Sequence, residues 1–244
     1  MGIFICSWNV NVFTRQCNPE IAFAVHQCAR FTHNPKESHT NAVKRIGKYL
    51  KGILDNEQGL MFNPTTEVTL DCFCDADFAG LWGYEDDQDP VCVRSRTGYV
   101  MTMGGCPIHW TSKLQTEIAL STTEAEYIAL AQSFRELIPI RRTFEEMIAA
   151  FELKETLPVT VKSKIFEDNN GAISTAKMPK MTPRTKHIAV KYHFVKKYFA
   201  KKICDYDHPF DLQKIDTLLQ KADIFTKGLN DVGFLRIRKL LCNY

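Results

Sequence analysis

The chain has 244 residues, 45% of them apolar and 24% charged, with a net charge of +3. That is room for one large domain, or for one of about 150 residues with additions, and the balance is that of an ordinary globular protein. Nine cysteines without any Cys-x-x-Cys pair argue against a stapled secreted scaffold and a zinc ribbon, so reduced thiols are expected.

No apolar run approaches the ~20 residues that a membrane helix needs. The opening "MGIFICSW" lacks the basic region and long apolar core of a signal peptide. The expectation is an intracellular protein, cytoplasmic or nuclear, with no membrane partner.

The first elements are helical. In "NPEIAFAVHQCARFTHNP" the residues Ile21, Ala24, Val25, Cys28 and Phe31 fall at helical spacing, and Pro19 suits a first helical position. In "SHTNAVKRIGKYLKG" the stripe is Val43, Ile46 and Leu50, with Ser38 or Thr40 as the cap and Gly52 as the stop. Together they predict a small helical hairpin over residues 1–66. From Val68 the period changes. "VTLDCFCDADFAG" predicts a strand closing on acidic residues, "LWGYEDDQDPVCVRSR" a loop, and "TGYVMTMGG" with "PIHWTSK" two strands turned at Gly104-Gly105.

"STTEAEYIALAQSFRELIPIRRTFEEMIAAF" predicts a long helix that Pro139 kinks or splits near Leu137. "SKIFEDNNGA" predicts a buried strand ending at Glu167-Asp168, and "GAISTAKM" a short helix. "TPRTKHIAVKYHFVKKYFAKK" predicts a longer helix, "PFDLQKI" the last strand, "DTLLQKADIFTKGL" a helix stopped by Gly228, and "FLRIRKLL" a final helix. The main domain is therefore expected over 67–229 and a C-terminal helix over 230–244.

Four acids occupy informative positions: Asp75 at the end of the first strand, Glu126 early in the long helix, Asp168 at the end of the fourth strand, and Asp223 in the helix after the last strand. Each alone has an ordinary reading as a turn, cap or surface residue. Asp75 and Asp168, however, close apolar strand runs, where an open sheet places its site. Asp223 lies near Leu219, Ala222 and Phe225, where a carboxylate needs a compensating partner. Convergence on a pair of Mg²⁺ or Mn²⁺ ions would satisfy all four, since hard cations take oxygen ligands and paired ions support phosphodiester hydrolysis.

The stretches "CDADFAG", "RSRTGYVMTMGGCPIHWTSKLQTEIALSTTEAEYIAL", "EDNNGAI", "RTKHIAVKYHF" and "KADIFTKGL" resemble the ribonuclease H domain of copia-type retrotransposon polyproteins. "NPEIAFAVHQCARFTHNP" and "NAVKRIGKYLKG" resemble the segment joining reverse transcriptase to that domain, so the resemblance runs from about Pro19 to Leu229. It implies an α/β ribonuclease H-like fold, with a five-stranded mixed sheet, flanking helices and a preceding hairpin. It also implies two-metal cleavage of the RNA strand of an RNA–DNA hybrid. Residue by residue, it makes Asp75 and Asp168 central ligands, Glu126 a ligand that also contacts the region of the RNA 2′-hydroxyl, and Asp223 a more mobile ligand. Asp77 rivals Asp75, since two residues apart on a strand they share a face.

From Lys177 to Lys202 there are nine Lys or Arg and no acid. Such a strip suits a nucleic-acid backbone, with Arg184, Lys186 and Lys191 as the candidate contacts. His208 precedes the last strand and so does not take the loop-histidine role of some ribonucleases H. "YEDD", Tyr84 to Asp87, matches a polymerase motif, but it sits in a loop with no polymerase palm around it. A separate reverse transcriptase chain is a candidate partner. The competing reading is a catalytically silent, nucleic-acid-binding or structural remnant of the same element.

Two glutamates divide the roles in "LSTTEAEYIAL". Ser121-x-x-Glu124 reads as a capping box, in which Glu124 reaches back to the Ser121 N–H. Glu126 is turned about 200° away on the helix and points to the ions.

Overall fold

The computed structural model describes residues 18–55, 59–62, 69–85, 89–151, 161–199 and 210–242. A 3₁₀ turn at Pro19–Ile21 leads into α1 (Ala22–Ala29), and α2 (Glu37–Asp55) completes the hairpin. Helix α2 runs through Ser38, Thr40 and Gly52, so these residues neither cap nor stop it. The amphipathic stripe carries the helix past a glycine that costs only about 1 kcal/mol.

The sheet is built from β1 (Thr69–Asp77), β2 (Arg96–Met103), β3 (Cys106–Leu114), β4 (Lys162–Glu167) and β5 (Asp211–Lys214). Its order is β3-β2-β1-β4-β5. The first three strands pair antiparallel, and β4 and β5 add in parallel on the other side of β1. Gly104 and Gly105 turn the β2–β3 hairpin with φ of 56° and 85°, the positive angles of a two-residue turn that other residues resist. Between β3 and β4 runs α3 (Thr122–Ala150), and α4 (Asn170–Lys177) follows β4. This five-stranded mixed sheet with flanking helices is an α/β ribonuclease H-like fold.

Alternation along β1 sorts the core into two layers. Leu70, Cys72 and Cys74 face α3, where they meet Ala125, Ile128, Leu130 and Phe134. Phe73 faces the opposite side, where Phe225, Ile237 and Leu241 pack. Six described cysteines, Cys28, Cys72, Cys74, Cys92, Cys106 and Cys242, are free thiols.

Three helix expectations change. Helix α3 passes through Pro139 without a break. Leu137 and Arg141 are both buried on either side of it, so packing offsets the hydrogen bond that proline removes. The expected long helix after Thr182 is instead two 3₁₀ segments, Pro183–Thr185 and Val190–Val195, followed by the single turn α5 (Lys196–Phe199). Its stripe is genuine, for Ile188, Tyr192 and Val195 are all buried. The tighter path brings Lys196 Nζ to the carbonyls of Thr175 and Met178, at 2.6 and 3.1 Å, where it caps the end of α4.

The expected helix around Asp223 is divided as well. A 3₁₀ turn at Thr217–Leu219 is capped by Asp216, and only Asp223–Thr226, α6, is helical. The break falls at buried Gln220, whose Nε2 donates to the Cys74 carbonyl at 2.9 Å. That bond ties the segment to β1. Helix α7 (Asp231–Cys242) closes the chain.

The hairpin rests on the α6 face of the sheet. Arg96, which is buried, donates to Ser112 Oγ at 3.2 Å and meets His26 Nδ1 at 2.8 Å. It also bonds Gln27 and lies over the Phe23 ring. Glu85, from the "YEDD" stretch, accepts two bonds of 2.8 Å from Arg30 and one of 2.9 Å from Gln27. Its part is to dock the hairpin. Asp86 and Asp87 lie outside the described residues.

Candidate metal centre

The site forms where β1 and β4 end beside the start of α3. Asp75 is the seventh residue of β1, two before its end at Asp77, and pairs across to Gly98 on β2. A Cβ at Gly98 would lie 2.6 Å from Thr226 Cγ2 and 2.7 Å from Phe225 Cβ. The glycine thus lets α6 sit directly on β2, and the Thr226 hydroxyl donates to Asp75 Oδ2. Glu126 lies in the second turn of α3. Asp168 follows β4, with its Oδ2 accepting from Thr217 Oγ1 at 2.8 Å.

Carboxylate oxygens of Asp75, Glu126 and Asp168 all lie within 4.8 Å of one another. Three elements distant in sequence thus bring three of the four expected acids into one group. Asp223 stands beside the group, at the first position of α6, and pairs with Lys227 Nζ at 2.9 Å. Asp77 is turned away: its carboxylate folds over its own loop, 1.6 Å from where a Gly80 Cβ would be. Of the two rivals on β1, Asp75 is therefore the one in the group.

The electrostatics are those of a site whose burial outweighs its compensation. Burial pushes the Asp75 carboxyl up to about 7, with Asp223 and Asp168 adding to the rise and Lys227 opposing it. Burial raises Glu126 further, joined by Asp75, Glu167 and Asp168. Asp223 is also raised by burial, while Lys227 holds it down. Among the described residues, Glu126 Oε2 is buried and meets no hydrogen-bond donor. A buried anionic oxygen without a donor is costly, and a hard cation would relieve it.

The glutamates of α3 point apart. Ser121 Oγ accepts from the Glu124 N–H at 3.1 Å. Glu124 Oε2 accepts from the Leu120 N–H at 2.9 Å, not from Ser121, and meets His187 Nε2 at 3.1 Å. The box reaches one residue further back than expected, because the side chain also spans to His187.

No role for Glu167 or Lys227 follows from the sequence pattern. Glu167 is fully buried beside the cluster, taking the Asn169 N–H at 3.0 Å and the Cys74 thiol at 3.4 Å. Burial raises its carboxyl well above the ordinary range. The only signal for it in the sequence is an acid at the end of an apolar strand, shared with its neighbour Asp168.

No family model matches the chain. Against curated proteins it is 36% identical over 216 residues, 86% of this chain, to the retrovirus-related Pol polyprotein from transposon TNT 1-94 of Nicotiana tabacum. It is 32% identical over 222 residues, 91% of this chain, to the retrovirus-related Pol polyproteins from transposons RE2 and RE1 of Arabidopsis thaliana. The chain belongs to the Pol polyproteins of copia-type retrotransposons. It spans 14% of the TNT 1-94 polyprotein and 13% of the other two.

The basic candidates of this Pol region lie in two places. Lys186 is exposed, just after the 3₁₀ turn Pro183–Thr185, and the Arg184 side chain lies outside the described residues. That turn borders a cavity of about 720 Å³ lined by hydroxyls, among them Ser121, Thr123, Thr175 and Thr185, at the start of α3. Lys191 lines a separate cavity of about 530 Å³ with Lys113 and Arg135, two cations that the sequence reading did not single out. It is bonded to Glu117, which also takes the Tyr192 hydroxyl. His208 lies outside the described residues. Among the described residues, no helix is long and apolar enough to cross a membrane.

Proposed function

We propose that this Pol region is a metal-dependent endonuclease that cuts the RNA strand of RNA–DNA hybrids. The observation that carries the reading is the group Asp75, Glu126 and Asp168, with oxygens within 4.8 Å of one another and one buried Glu126 oxygen lacking a donor. Such a donor set of hard oxygens fits Mg²⁺ or Mn²⁺ rather than zinc or copper. Asp75, Glu126 and Asp168 would hold the ions, with Asp223 joining them. Bound there, a pair of ions would supply Lewis-acid activation of a water and charge stabilisation at the leaving oxygen.

The remaining work falls to the chain itself. Thr226 and Thr217 fix the orientation of Asp75 and Asp168, so the acids meet a substrate already aimed. Glu126 would also meet the RNA 2′-hydroxyl region, as the resemblance implies. The hydroxyl-lined cavity at the start of α3, bordered by the turn that Lys186 follows, would take backbone phosphates of the hybrid, since hydroxyls, lysines and helix N-termini are common phosphate contacts.

The test is cleavage of a labelled RNA–DNA hybrid by the purified chain with Mg²⁺ or Mn²⁺. Metal-dependent cutting of the RNA strand is expected, with Asp75→Asn and Asp168→Asn inactive. Salt-dependent hybrid binding without cutting by the parent would replace this reading with the silent, nucleic-acid-binding one.

A further inference from the structure

The acidic cluster carries a cation of its own. Lys227 leaves α6 with an extended backbone, φ −137° and ψ 159°. Its side chain turns back four residues to Asp223, Nζ to Oδ1 at 2.9 Å. The two partners differ in their access to water: the Asp223 side chain is 7% exposed and that of Lys227 40%. The carboxylates of Asp75 and Asp168 also act on this ammonium and, with Asp223, outweigh the effect of its burial. In return Lys227 restrains the rise of Asp75, Asp77 and Asp223. One ammonium thus serves several acids, and the acid it touches is the one that stands outside the close group.

We propose that Lys227 is a positioning residue, the internal counter-cation of the cluster, which holds Asp223 while the site is free of metal and swings to water when a divalent cation takes that carboxylate. This rests on the metal-dependent reading above. An ammonium and a divalent ion repel strongly at contact distance of one carboxylate in a partly buried setting. The lysine has the means to leave, with a compact charge on a flexible four-carbon stem and a partly exposed side chain. Lys227 therefore stabilises the metal-free site and sets the concentration at which metal fills it. An ion pair serving structure alone would do only the first.

The two roles separate in a calorimetric Mn²⁺ titration of the parent, Lys227→Met and Lys227→Arg, run beside thermal unfolding in chelator. Lys227→Met is expected to lower the metal-free melting temperature and to bind Mn²⁺ about tenfold more tightly, because no ion pair must break. Lys227→Arg keeps the charge and should stay within about threefold of the parent. If Lys227→Met binds Mn²⁺ no more tightly than the parent, the proposal is overturned and the ion pair is structural. If that variant does not fold, Lys227→Gln in the same titration decides on the same criterion. Failure of the parent itself to bind Mn²⁺ would overturn both this proposal and the metal-dependent function. An unchanged affinity in the variant beside a binding parent overturns this one alone.

Discussion

Neutralising Asp75 should stabilise the metal-free protein. The carboxyl is 3% exposed and is pushed up to about 7 from an ordinary 3.8. The folded state therefore keeps a proton that the unfolded chain releases. The contribution of this one group to stability must then fall as pH rises from about 4 to about 7 and level off above that. About three pK units at ~1.4 kcal/mol each set a ceiling near 4 kcal/mol at neutral pH. Asparagine keeps the shape and can still bond the Thr226 hydroxyl, while removing the charge. Side-chain adjustment around the cluster should leave Asp75→Asn with a gain of about 2 to 4 kcal/mol, or roughly 5–15 °C for a chain of this size. The assay is thermal unfolding by circular dichroism in chelator, at steps from pH 4 to pH 8, for parent and variant. The two curves should meet near pH 4 and separate by pH 7.5, and Mn²⁺ should narrow the gap by stabilising only the parent. A variant that melts at or below the parent's temperature at pH 7.5, or a gap independent of pH, would refute the electrostatic reasoning.

Other perturbations separate structure from chemistry. Gly98→Ala places a Cβ 2.6–2.7 Å from Thr226 and Phe225 and should cost about 1–3 kcal/mol. By displacing α6 it should also lower hybrid cleavage, which denaturant melts and the nuclease assay can follow side by side. Glu124→Ala removes an acceptor of the Leu120 N–H and the His187 partner, and should cost about 1 kcal/mol in urea melts. Glu126→Gln should mainly abolish cleavage, and exchanged phenotypes for the two glutamates would sink the division of roles. Arg96→Met strands the acceptors of Gln27 and Ser112 beneath the hairpin. A loss of about 3 kcal/mol is expected, with protease cutting first between residues 18 and 55.

The fold was legible where pattern and period agreed. All five strands, the two-glycine turn and the long helix follow from alternation, turn chemistry and an apolar stripe, signals that lie within single segments. The misreadings fall where a local preference met a distant partner. Pro139 argues for a break only until burial of Leu137 and Arg141 is counted. Gln220 looks like an ordinary helix residue until its amide is found on the Cys74 carbonyl, a bond across the whole domain. The strip after Thr182 has a helical stripe, yet its lysine caps another helix and its backbone tightens to allow it.

The site follows the same division. An acid at the end of an apolar run is visible in the sequence, and that singled out Asp75 and Asp168. What could not be read is orientation: Asp77 shares a face with Asp75 by parity, yet it turns onto Gly80. Charge compensation was equally hidden. Lys227 reads as a surface residue near a helix end, yet its ammonium turns back onto Asp223. Had the segment been one long helix, as its pattern implies, the Asp223 pairing could still form at a four-residue spacing. The approach to Asp75 depends on something else: the close seat of α6 on β2, which Gly98 permits. A glycine in a neighbouring strand thus helps decide how the carboxylates are compensated, a connection that no reading of either segment alone contains.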